Sequence, residues 1–133
     1  MKKCLISSCL VGLCTRYDGK SKPDERCFKY LVDFIYIPVC PEQLGGLPTP
    51  RPPASLSGGD GIDVLTGFAS VITRDGRDVT KKFLAGAEAV LKIAKDQDIR
   101  LALLKARSPS CGVKKLGVTA ALLEANGIRL VEF

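Results

Sequence analysis

Four apolar runs of strand length, at residues 3–8, 34–39, 101–104 and 128–132, are separated by segments whose apolar residues recur at helical spacing. That alternation constrains the fold most, because strands joined through helices run parallel and need both faces of their sheet covered. We therefore expect an α/β chain, a single-domain three-layer Rossmann-like sandwich over residues 1–133, with a mostly parallel sheet and long functional loops at the strand carboxyl ends. With 133 residues, 46% of them hydrophobic, the chain is long enough to bury one core.

The connecting segments differ in how firmly they are specified. Phe83, Ala87, Val90, Leu91 and Ala94 trace one stripe, which predicts a helix starting at Asp78 or Thr80 and running to about Lys95. Val118 to Ala125 is predicted as a second helix, ended by Asn126-Gly127. Between Asp24 and Asp33, Phe28, Leu31 and Val32 predict a short helix packing that face on the sheet. The stretch CPEQLGGLPTPRPPASL holds five of the eight prolines and reads as an extended, stiff loop. Val64–Thr66 and Ala69–Thr73 read as a small antiparallel ribbon or extended arms. The Gly58-Gly59-Asp60-Gly61 cluster lacks the phosphate-loop pattern and reads as a flexible turn that opens no helix.

Three of the six cysteines fall just past predicted strands: Cys9, Cys40 and Cys111. In a parallel sheet the carboxyl ends share one edge, so thiols 31 and 71 positions apart meet there. Cys4 lies inside the first strand and Cys27 inside the first helix, where thiols are usually inert packing. Cys14, in the same loop as Cys9, stays outside the ligand set. Three thiolates without histidine suit iron and sulfide better than hydrolytic zinc, which usually keeps nitrogen or oxygen donors.

Composition narrows the chemistry further. The absence of histidine excludes imidazole acid–base catalysis and His-ligated metal, so proton transfer falls to carboxylates, Lys, Tyr, hydroxyls or water. No Cys-x-x-Cys pair occurs, which argues against thioredoxin-like and zinc-ribbon folds. The formal charge of +6 is spread over lysine pairs without an aromatic-rich basic strand, so a nucleic acid polymer is not expected as a partner. No apolar run is long enough to span a bilayer, and the first residues break into Ser7-Ser8 too early for a signal peptide, so no membrane association and a cytoplasmic location are expected.

The blocks SSCLVG, RYDG, PVCPEQLGGLPTPRPP, the Asp78-Val79-Thr80 step and LKARSPSCG occur in this order over nearly the whole chain. Together they resemble a bacterial family, once a domain of unknown function, whose characterised members are thiouracil desulfurases. The resemblance implies a [4Fe-4S] cluster on Cys9, Cys40 and Cys111, and non-redox removal of sulfur from a thiolated pyrimidine, a small-molecule substrate. It also carries over Glu42 from the Cys-Pro-Glu step and Ser108 with Ser110 from the Ser-Pro-Ser-Cys step.

On this basis Glu42 is expected to activate water and Ser108 to donate a hydrogen bond during catalysis, while Ser8, Ser110 and Arg51 are assigned to substrate binding. From the residues alone, Glu42 is equally a loop carboxylate paired with Arg51, the serines are turn caps, and Arg16 or Arg51 fastens two loops through Asp18. Three other functions stay open: a cluster enzyme acting on a different thioamide, thio-nucleotide or persulfide, a non-catalytic iron–sulfur or sulfide carrier, and a thiol redox protein using Cys9 with Cys14.

Overall fold

The computed structural model describes residues 2–133. Four strands, β1 (Lys2–Ser7), β2 (Phe34–Val39), β5 (Leu101–Leu104) and β6 (Arg129–Glu132), form one sheet in the order β2-β1-β5-β6. Every neighbouring pair is parallel, with Cys4 opposite Tyr36, Ile6 opposite Leu103 and Leu103 opposite Val131. Between these strands lie α1 (Glu25–Tyr30), α2 (Pro41–Leu44), β3 (Ala54–Ser57), α3 (Gly61–Leu65), β4 (Ser70–Thr73), α4 (Thr80–Asp96) and α5 (Val118–Ala125).

Side-chain alternation along β1 and β5 divides the core. Cys4, Ile6 and Leu103 point to the face covered by α1, where they meet Cys27, Leu31 and Leu10. Leu5, Ala102 and Leu104 point to the opposite face and pack on Val90 and Ala94 of α4 and Ala120 and Leu123 of α5. These are the expected three layers. A third cluster, around Phe83, Ala87, Val64, Val71 and Val118, seats the β3–β4 ribbon and α3 against α4 and α5.

The chain leaves β1 for β2 on one side and reaches β5 on the other. Strand order therefore reverses between β1 and β5, and the loops at their carboxyl ends diverge to leave a crevice.

Four expectations are corrected. Helix α1 buries Cys27, followed by Leu31 just past its end, whereas Phe28 is 44% and Val32 79% exposed. The helix stops at Tyr30, so Val32 falls outside its periodicity. The proline-rich stretch contains α2, because Pro41 occupies a first-turn position that needs no backbone donor. A ribbon does form, but β4 pairs with Ala54–Ser57, and Val64–Thr66 closes α3 instead. Finally, the glycine cluster opens α3: the Asp60 side chain accepts from the Ile62 and Asp63 backbone N–H groups, and Asp63 accepts from Asp60 N–H, a capping box built from two aspartates.

Helix α2 is pressed against α4 at two glycines. A methyl group on Gly86 would overlap the Pro41 carbonyl, and one on Gly45 would overlap that of Lys82. This contact fixes the element that carries Glu42 to the far side of the long helix.

Candidate functional site

A cavity of about 390 Å³ opens at the carboxyl edge of β1, β2 and β5. Each of these strands delivers one thiol to its wall. Cys9 stands in the 3-10 turn Ser8–Val11 directly after β1, and Cys40 is the residue between β2 and α2. Cys111 follows the turn after β5, and all three line the same cavity. Gly12, with φ of 96°, closes the 3-10 turn in a left-handed conformation and lets the first loop double back over the site.

The three thiols sit in different surroundings. Burial pushes Cys111 up to about 12, opposed by a hydrogen bond from Ser7, with Cys40, Glu42 and Cys9 near enough to add to the rise. Burial also raises Cys9, against the pull of Lys105 and Arg16. The Cys40 thiol donates to the Thr15 carbonyl at 3.6 Å and receives Arg51 Nη2–H at 3.9 Å.

Among the described residues no group of three or more Cys, Asp or Glu is disposed to hold a single metal ion. Three thiols on one cavity wall, in a chain without histidine, are a donor set that suits a cysteine-held iron–sulfur cluster.

Glu42 projects from the first turn of α2 into the cavity. Its Oε1 accepts from Arg51 Nε at 3.0 Å and its Oε2 from Ser110 Oγ at 2.8 Å. A carboxylate offers about four lone-pair sites, so each oxygen keeps one. Ser110 is 1% exposed and does not line the cavity; it stands behind Glu42. Ser108 does line it, and its Oγ accepts the backbone N–H groups of Ser110 at 3.2 Å and Cys111 at 3.0 Å. With both lone pairs occupied, the Ser108 hydroxyl has only its proton left to offer.

Ser8 also lines the wall, sharing a 2.6 Å hydrogen bond with Thr15 Oγ1. Arg51 is 8% exposed and pairs with Glu42, while Asp18 is bridged by Arg16 at 3.8 Å. The fastening partner of Arg51 is thus Glu42, not Asp18.

Sequence reasoning missed Ser7, Thr15 and Lys105. Ser7 is buried, accepts Lys105 N–H at 3.0 Å and hydrogen-bonds the Cys111 thiol. Lys105 lines the cavity beside Cys9, with Nζ donating to the Ala106 carbonyl at 3.0 Å. Ser7 and Lys105 stand at the carboxyl ends of β1 and β5, which was the available signal, whereas Thr15 lies in the loop beyond the 3-10 turn and carried none.

Cys14 is exposed and does not line the cavity, and Cys4 and Cys27 lie in the core. No described helix is long and apolar enough to cross a membrane.

A family model described as 2-thiouracil desulfurase matches residues 4–132. The chain is 41% identical over 140 aligned positions to a Bacillus subtilis protein named uncharacterized protein YbbK, across 96% of this chain and 93% of that one. Among solved structures it is similar to the [4Fe-4S]-dependent thiouracil desulfidase TudS, with 37% sequence identity and a TM-score of 0.83, across 99% of this chain and 91% of the other.

Proposed function

Because the chain belongs to the 2-thiouracil desulfurase family, we propose that it removes sulfur from a thiolated pyrimidine of the 2-thiouracil kind, using a [4Fe-4S] cluster held by Cys9, Cys40 and Cys111. The observation that carries this reading is the meeting of three strand-end thiols with Glu42 in one cavity. The reaction converts C=S and water to C=O and hydrogen sulfide, with no net transfer of electrons. When bound, the cluster supplies an iron without a protein ligand, a soft Lewis acid suited to a thione sulfur.

The remaining work falls to the chain's own side chains. Glu42 takes a proton from the attacking water through the lone pairs that Arg51 and Ser110 leave free. Ser110 acts through Glu42, and so does Arg51: both position the carboxylate instead of contacting the substrate. Ser108 turns its one proton toward the pyrimidine or the departing sulfur, since its oxygen is filled by two backbone donors. Ser8 and Thr15 consume one hydroxyl proton between them and present the other to the substrate.

Anaerobic purification followed by iron and acid-labile sulfide analysis, with hydrogen sulfide measured on 2-thiouracil and on 4-thiouridine monophosphate, tests site and reaction together. Glu42→Gln is expected to keep the cluster absorbance and lose at least ~100-fold in turnover, the usual scale of general-base catalysis. A carrier of iron–sulfur or sulfide needs no base. Wild-type iron content without turnover on any thiolated pyrimidine would therefore favour the carrier over the enzyme.

A further inference from the structure

We infer that Arg51 ties the cluster-holding half of the site to the proton-transferring half: one guanidinium fixes Cys40 and aims Glu42 together. The inference rests on the function proposed above. A guanidinium carries five N–H donors, and all five are committed. Nε donates to Glu42 Oε1 at 3.0 Å, Nη1 to Thr49 Oγ1 at 2.8 Å and Pro48 O at 3.3 Å, and Nη2 to Thr15 O at 2.9 Å and Cys40 Sγ at 3.9 Å. None is left for a substrate, although the side chain borders the cavity. Arg51 is therefore a positioning residue.

Its reach explains why it couples the two halves. Cys40 and Glu42 flank Pro41 at the start of α2, so their side chains leave the same turn and both meet Arg51. The same group holds Thr15 of the first loop and the Pro48–Thr49 bend. A planar fork spans partners on three sides, whereas a lysine ammonium offers three donors from one point. Loss of the fork releases the carboxylate and removes a cationic hydrogen bond from a cluster-ligand sulfur, one of the levers on cluster potential.

Arg51→Lys and Thr49→Val, compared with wild type as anaerobically purified holoprotein, test this. For Arg51→Lys we expect kcat to fall roughly 10- to 100-fold, as for a group displaced by about an ångström. KM should stay within about twofold, as expected when only uniform binding is preserved. The midpoint potential of the cluster should move negative, because a donor that stabilises the reduced state is gone. Thr49→Val removes the hydroxyl that anchors Nη1 and also receives Gln43 Nε2 at 2.8 Å, leaves the other four guanidinium contacts in place, and is expected to give both shifts in the same directions but smaller.

A raised KM with unchanged kcat would place Arg51 on the substrate and overturn the inference. A fall in kcat without a change in potential, or the reverse, would break the coupling. If Arg51→Lys does not fold, Thr49→Val decides: wild-type kcat and potential there also overturn it. Wild-type protein lacking iron or turnover would sink the proposed function itself, an outcome separable from an active wild type with an indifferent Arg51→Lys.

Discussion

Cys4 and Cys27 are as buried as any residue in the protein, and so, nearly, are Cys9 and Cys111. The first pair lies within β1 and α1, surrounded by Ile6, Leu10, Leu31 and Leu103, and burial raises both thiols to about 11. The second set stands beyond the strand ends, on the cavity wall: Ser7 lowers the Cys111 thiol against its burial, and Lys105 and Arg16 do the same for Cys9. Burial alone therefore does not separate a working thiol from a packing one. The distinction is access to the cavity: Cys9 packs in the same apolar cluster as Cys4 and Cys27, yet like Cys40 and Cys111 it also borders the open space past the strand ends, where loops bring polar groups.

The widest separation between the two sets should come from removing one thiol of each. Cys111→Ser is expected to lose bound iron, visible cluster absorbance and turnover together. Cys4→Ala should retain all three and cost only about 1 kcal/mol of stability, a typical value for a small core truncation. Iron loss in Cys4→Ala, measured per chain after anaerobic purification, would erase the distinction.

A larger core change on the α1 side should still leave the site intact. Leu31 is 6% exposed among Cys4, Cys27 and Leu103, and Leu31→Ala is expected to cost about 2–3 kcal/mol in chemical denaturation, with iron per folded chain unchanged. Gly86→Ala sharpens the comparison from the opposite face, where framework and site touch. The added methyl group meets the Pro41 carbonyl, so α2 must shift and carry Cys40 and Glu42 with it. A loss of about 1–3 kcal/mol in thermal or urea unfolding is expected, the scale of overpacking, accompanied by reduced turnover. Lost stability with full activity would mean that α2 yields elsewhere.

The strands and the long helices were legible because their burial is local and periodic. Phe34–Val39, Leu101–Leu104 and Val118–Ala125 coincide with the runs read from the chain, and α4 buries Phe83, Ala87, Val90 and Ala94 as its stripe indicated. That Cys9, Cys40 and Cys111 line one cavity was legible for a different reason, the shared carboxyl edge of parallel strands. Helix α2 was hidden because Pro41 and Gly45, read as loop signals, serve as a first-turn residue and a close-packing seat. The ribbon partner of β4 lies upstream across α3, outside any local pattern. Ser7, Thr15 and the fork of Arg51 matter through hydrogen bonds between loops distant in sequence, and no periodicity records those.

The smallest expected effect concerns the face of α1 that the periodicity misassigned. Phe28, Leu31 and Val32 fit a helical stripe, yet Cys27 and Leu31 fit one equally well at a four-residue spacing. The six-residue helix is too short for the pattern to choose between them. The sheet chooses, because only Cys27 and Leu31 face Cys4, Ile6 and Leu103. At 79% exposure Val32 contributes little buried area, so Val32→Thr should change the denaturation midpoint by no more than ~0.5 kcal/mol equivalent and leave iron content and turnover at wild-type values. A loss approaching that of Leu31→Ala would show that Val32 packs after all and that the α1 face extends past the end of the helix.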